Sequence, residues 1–354
     1  MSHPAPKTVS GLRVLAALVA ALPAIWLAGW TGTADAQHAG AFARVGFGAR
    51  GISMGNAVAA DVYSGESPWY NPALAPLVRG QHLDATVSSM SFDRSLQFLE
   101  IGAPLQDRAG VAAGVIHASV SDIDGRDNSG FHTGDLSVDE YAGFLAFGLR
   151  FSDRFTGGVS LQLFRTDLFD GLTPARSVGL DVGFAYRVSD TWSASFVLDD
   201  LLARYSWDSS DISSGGRSVT DSFPRRLRLG VATRQFDKAL LVGLEVESRF
   251  ISVDASRRSV RILGDAPAEV SDTEDLTLQE TRLRAGAEYV FMESFALRAG
   301  VEQLGPEALG TVRPSVGFMV EQRVGELVLR AEYGLALEAA AGGRMHLLTV
   351  KLFL

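Results

Sequence analysis

The chain has 354 residues, with 32 Lys and Arg against 41 Asp and Glu, a net charge of -9 and no cysteine. The negative balance argues against a partner held by its phosphate backbone, so no nucleic acid is expected. The absent thiol excludes thiolate catalysis, cysteine zinc sites and a disulfide framework. The length fits either two globular domains or one barrel.

At the start, Lys7 and Arg13 precede an apolar run from Val14 to Trp30, and Ala34-Asp35-Ala36 has the small-residue pattern of a cleavage site. Residues 1–36 are therefore predicted to be a signal peptide removed after Ala36, leaving Gln37 as the first residue; the competing reading is a membrane anchor. No lipobox cysteine is present, and no later apolar run reaches the roughly 18 residues of a spanning helix.

Residues 37–80 differ in composition from both neighbours. Gly46, Gly48, Gly51 and Gly55 allow tight backbone turns. Ser53 is placed to start a short helix over 54–60, and Asn71 to cap a second at Pro72, whose ring removes a donor and biases Asn71 away from helix. Helices this short need a surrounding wall.

From Leu83 the pattern has period two. Val178, Leu180, Val182, Phe184 and Tyr186 alternate with polar residues or glycine, as do Leu283, Ala285 and Ala287, Phe295, Leu297 and Ala299, and Leu327, Leu329 and Ala331. Fourteen strands are predicted: 81–91, 94–104, 108–119, 138–151, 154–166, 175–187, 191–202, 223–235, 238–250, 277–290, 293–303, 309–322, 326–337 and 343–353. Most reach the roughly 9–11 residues that cross a bilayer at barrel tilt, whereas sandwich strands are commonly about 5–6. Ser152-Asp153, Ser189-Asp190, Phe236-Asp237, Met292-Glu293 and Val324-Gly325 make tight turns on one rim. Long loops are expected on the other, at 120–137, 203–222 and 251–276, the arrangement of an outer-membrane barrel. Strand 94–104 alternates poorly. The chain ends with Phe353 penultimate.

The alternation sends charge to one face: Arg226, Arg228, Glu245, Glu247, Arg282, Arg284, Arg298, Glu302, Arg330 and Glu332. Arginine facing lipid at the midplane costs about 2–4 kcal/mol, so these ten are assigned to the lumen, paired with one another and with the 37–80 segment. Val182, Phe184, Leu283, Leu297 and Leu329 are assigned to the lipid face. The six histidines lack metal-ligand spacing, and no HExxH or G-x-S-x-G motif occurs. Asp272, Glu274 and Asp275 do not have the spacing of an EF-hand loop and read as a solvated acidic loop. No enzyme activity, cofactor or metal is expected.

Within the 37–80 segment, Arg50-x-x-x-Met54-Gly55-x-Ala57 followed by Trp69-Tyr70-Asn71-Pro72-Ala73 resembles the N-terminal signature of PorV/PorQ-type outer-membrane proteins, within the wider FadL-like barrel group. Leu74 departs from it, standing where the pattern has glycine. The resemblance implies a 14-stranded antiparallel transmembrane β-barrel (81–354) with an N-terminal hatch (37–80) inside it, resident in a Gram-negative outer membrane and surrounded by its lipid. It also assigns hatch and gating roles to Arg50, Met54, Gly55, Trp69, Tyr70, Asn71 and Pro72. Two functions follow from it. One is receiving or shuttling exported proteins in type IX secretion, with secretion components or client proteins as partners. The alternative is a FadL-like passive transporter with a hydrophobic ligand.

Overall fold

A computed structural model describes residues 39–354 except 106–107, 169–171, 209, 211–215, 217, 264–265, 292–293, 305–311 and 339–342; over 252–276 it describes the backbone alone. The expected signal peptide, the Met292-Glu293 turn and the side chains of Asp272, Glu274 and Asp275 lie outside the described residues.

Strands with one apolar face and one polar or glycine-bearing face bury neither face as a flat sheet, and closure also removes the unpaired edges. Here the sheet closes. The strands are β1 (His82–Met90), β2 (Arg94–Leu105), β3 (Ala109–Arg126), β4 (His132–Arg150), β5 (Phe155–Asp167), β6 (Ala175–Arg187), β7 (Trp192–Asp199), β8 (Arg204–Asp208), β9 (Ser218–Ser222), β10 (Arg225–Gln235), β11 (Leu240–Leu263), β12 (Ala266–Phe291), β13 (Phe295–Leu304), β14 (Arg313–Val324), β15 (Leu327–Leu337) and β16 (Arg344–Phe353). Fourteen of them form one closed antiparallel barrel in which β1 pairs with β16 and β7 with β10; β8 and β9 form a separate two-stranded hairpin.

The outer surface is apolar, with Leu99, Ile101, Val115, Leu145, Leu161 and Leu163 all exposed. Near the short-turn rim it carries aromatic rings in contact, Phe151 with Phe155 at 5.6 Å, Phe155 with Phe184 at 5.8 Å and Phe291 with Phe295 at 6.0 Å between centroids. An apolar band edged by aromatics is the surface that lipid selects.

Three expected loops contain strands. Segment 120–137 continues β3 and β4, 203–222 forms β8 and β9, and 251–276 extends β11 and β12 into a hairpin whose strands have 24 and 26 residues. Ladder pairing satisfies backbone groups past the rim as it does within the wall. The poor alternation of β2 also has a reason. Leu99 and Ile101 face outward while Leu96 and Phe98 are buried inside, so both faces are apolar.

The segment before β1 fills the lumen. It holds a 3-10 turn (Ala41–Arg44), an α-helix (Gly48–Ser53) and a 3-10 helix (Pro72–Leu77). Asn71 caps the last of these, its side chain accepting from the Ala73 N–H at 3.0 Å. The helix expected over 54–60 is absent. Ser53 donates to the Ala49 carbonyl at 2.5 Å and closes the preceding helix, so it does not open the next.

The hatch sits backbone against backbone on a ring of inward-facing glycines. Gly110, Gly148, Gly158 and Gly183 lie opposite one another across β3 to β6, Gly243, Gly286 and Gly300 across β11 to β13, and Gly317 and Gly334 across β14 and β15. A Cβ at Gly110, Gly158, Gly243, Gly286 or Gly300 would overlap backbone atoms of Met54, Gly55, Ala57, Pro72 or Ala75. The ring therefore sets how closely the hatch can approach the wall. Gly286→Leu is expected to displace the hatch, the overpacking costing about 1–3 kcal/mol, while the barrel keeps its heat-modifiable migration. Limited proteolysis between residues 48 and 61 reads the displacement. Gly143→Ala, whose new methyl meets nothing nearer than 3.9 Å, should leave the digest unchanged.

Candidate functional site

The lumen is divided by polarity. Charged inward residues concentrate on β10 to β13 and β15, and apolar ones on β2 to β4.

On the charged side Arg50 is the hub. Its Nε and one terminal nitrogen each donate to Glu288 of β12 at 3.0 Å, the same nitrogen bonds Asp61 at 2.8 Å, and the other bonds Glu66. Two of these three carboxylates belong to the hatch and one to the wall. Glu288 also accepts from Arg298 at 2.6 Å, and Arg298 reaches Glu332 at 3.0 Å. A second knot forms around Arg284, which meets Glu245 at 2.7 Å, Glu247 at 2.8 Å and Glu302 at 3.0 Å. Arg228 grips Asp199 at 2.7 and 2.9 Å and donates to the Tyr70 carbonyl at 2.6 Å, while Arg226 bridges Asp200 and Glu247. Arg44 of the hatch pairs with Asp200, and Lys351 with Asp84 at 2.8 Å.

The ten residues assigned to the lumen from sequence are all buried on the inner face; Arg330 pairs with Glu321 at 2.6 Å and Arg282 with Glu280 at 2.6 Å. The lipid-assigned Phe184, Leu283, Leu297 and Leu329 are exposed, and Val182 is half-buried. Sequence reasoning did not select Asp61, Glu66, Asp84, Asp199, Asp200, Glu288 or Lys351. Glu288 was within reach, because it shares the parity of Arg282 and Arg284.

The hatch residues converge on the same region. Tyr70 accepts from the Phe47 N–H at 2.7 Å and donates to Asn56 at 2.7 Å. The Asn71 amide donates to the Ala59 carbonyl at 2.9 Å, which ties the start of the Pro72–Leu77 helix to the turn that follows Gly48–Ser53. Met54 and Gly55 lie on the glycine ring, beneath Gly286 and Gly300, and Pro72 lies against Gly158. Ala49 is fixed to the wall by Thr349, which accepts from its N–H at 2.9 Å.

The apolar side is aromatic. Phe47 lies 4.6 Å from Phe98 and 6.1 Å from Trp69, and Trp69 lies 5.2 Å from Phe144. Further towards the long-hairpin rim, Phe223 lies 4.8 Å from both Phe164 and Tyr205, with Trp207 partly buried beside them. Leu96, Ile116 and Phe42 complete one continuous cluster that runs from beneath the β8–β9 hairpin to the hatch. Sequence reasoning assigned no face to Phe98 or Phe144. The expectation of a polar lumen hid the cluster.

Among the described residues no cluster of His, Cys, Asp or Glu has the geometry of a metal site.

Fold and lumen together define a 14-stranded barrel of the outer-membrane type closed by an internal hatch. The same fold occurs in the Pseudomonas putida toluene transporter TodX, with a TM-score of 0.58 at 15% identity over 87% of this chain and 96% of that one. The CymD monoaromatic hydrocarbon channel gives 0.57 at 13% identity over 87% and 96%, and a Pseudomonas aeruginosa FadL homologue 0.53 at 12% over 86% and 97%. No family model and no curated protein matches the sequence.

Removing Arg50 leaves Asp61 and Glu66 buried without their counter-charge, and loss of one partner from a buried ion pair costs about 3–5 kcal/mol. Arg50→Leu should therefore release the hatch while the barrel stays closed, seen as new protease cleavage inside 48–75. Acid should act in the same direction. Burial pushes the Glu66 carboxyl up, but Arg50, Lys351 and the Ser67 N–H outweigh it and hold the group below its ordinary range. A carboxylate depressed on folding stabilises above its unfolded pKa, and that stabilisation is lost as pH falls through the folded value. Protease sensitivity of the wild-type hatch is thus expected to rise only below the ordinary carboxylate range. A uniform digest from neutral pH into strong acid would show that Glu66 carries no such role.

Proposed function

We propose that the protein is a passive outer-membrane conduit for hydrophobic small molecules. The observation that carries this reading is the continuous apolar cluster from Phe223 and Phe164 past Phe144 and Phe98 to Trp69 and Phe47. A lumen built only to hold water and a plug has no need of it, because the plug is already clamped by charge on the opposite side. Apolar walls with few polar groups are how small hydrophobic ligands are held. The outer rim favours the same ligands, with Phe131, Leu136 and Leu202 exposed there. The named neighbours, a toluene transporter and a monoaromatic hydrocarbon channel, point in the same direction.

The secretion reading rested on the hatch signature. Here Asn71 and Tyr70 are spent on internal hydrogen bonds, and Trp69 on the aromatic cluster, so none of the three is presented to a protein client. The transport reading is preferred for that reason. The exported chain would sit with its short-turn rim, and both ends of the barrel, towards the periplasm.

Uptake of toluene into proteoliposomes tests the proposal. Wild-type protein should accelerate entry over protein-free vesicles, and Phe98→Glu or Phe144→Glu should abolish the gain, since an unpaired carboxylate would stand in the apolar path. Arg330→Gln, on the charged side, should leave it nearly intact. Equal uptake by all three variants would remove the basis of the reading.

A further inference from the structure

Along the charged side of the lumen the arginines are answered by carboxylates, but at the short-turn rim the pattern breaks. A cavity of about 230 Å³ opens there beneath the hatch, lined by Arg150, Arg154 and Arg187 with Val62, Leu77, Asp153, Thr156 and Ala185. A water needs about 10–15 Å³ on the same measure, so the space takes a group with several heavy atoms. Among the described residues no carboxylate pairs with any of the three arginines. Arg150 spends one donor on the Pro76 carbonyl at 3.2 Å. The Nε–H of Arg187 is buried without a hydrogen-bond partner. Its guanidinium lies 5.9 Å from the centroid of the Tyr63 ring, and Arg234 approaches the same ring at 5.5 Å, which adds a further positive charge nearby.

We propose that this cavity is an oxyanion site, built to take one phosphate or carboxylate group at the periplasmic mouth of the barrel. Planar guanidinium donors match the two oxygens of such a group, and charge-assisted hydrogen bonds are the strong ones. A bound oxyanion satisfies the buried Nε–H of Arg187, which otherwise carries the penalty of an unmade bond. It also offsets the mutual repulsion of three cations that Asp153 alone does not balance. The anion is either free in solution or the head of a larger amphipathic molecule, and both present the same oxygens. The site is independent of the transport reading, since it lies on the opposite side of the hatch from the aromatic cluster's outer end and needs no hydrocarbon.

The test is calorimetric titration of the full mature chain in non-ionic detergent with inorganic phosphate, acetate and octyl phosphate. One saturable site per chain is expected. Arg187→Gln should weaken it roughly tenfold or more, the order expected for losing a charge-assisted donor. Arg154→Gln should weaken it too; that residue is exposed, so the variant keeps the test informative if the first fails to fold. Arg126→Gln, on the outer hairpin, should bind as wild type. Binding of inorganic phosphate or acetate identifies a free anion, and binding of octyl phosphate alone identifies the head of an amphiphile. No saturable binding of any of the three, or binding unchanged in both the Arg187 and Arg154 variants, overturns the site.

Discussion

Arg50 stands inside a barrel where a lone charge would be costly, and the rest of the interior is arranged around answering it. Its guanidinium joins Asp61 and Glu66 of its own segment to Glu288 of the wall. Glu288 then binds Arg298, and Arg298 binds Glu332, so the charge pattern spreads across β12, β13 and β15. Buried ion pairs contribute little net stability compared with apolar packing, because each group gives up its hydration. Their effect here is on position. In this seating Arg50 meets Asp61, Glu66 and Glu288 at once, and a slip of the hatch would separate them.

The glycine ring complements that clamp. Charge fixes which part of the wall the hatch meets, and missing side chains fix how near it comes. With Met54, Gly55 and Ala57 lying on the backbone of β11 to β13, and Pro72 and Ala75 on that of β3 to β5, the hatch is a collar seated on the wall from both sides. Between these contacts Phe47 and Trp69 of the hatch pack against Phe98 and Phe144 of the wall.

Much of this was legible in the sequence. Fourteen strands were located, all but the poorly alternating 94–104 by a period-two pattern, because inward and outward faces demand different chemistry, and the pattern also sorted Arg284, Arg298 and Glu332 from Leu283, Leu297 and Leu329. The hairpins beyond the rim were not legible. Segments 120–137 and 251–276 are rich in Ser and Asp, which read as loops, yet ladder pairing there needs no buried face. The glycine ring was hidden for a different reason. Gly243, Gly286 and Gly300 lie on three successive strands, and only strand register brings them level. The aromatic half was obscured by the assumption that a barrel interior is uniformly polar.

The central claim is that the hatch is a fixed collar, seated on the wall from both sides. Hydrogen exchange over residues 48–61, with and without saturating toluene, tests it most directly, since amides in a docked segment exchange only when that segment opens. The account predicts protection comparable to that of the β12 and β13 amides within the wall, unchanged by the hydrocarbon. Exchange of the whole segment as one unit, faster than those strands or accelerated by toluene, would show instead that the hatch moves as a gate.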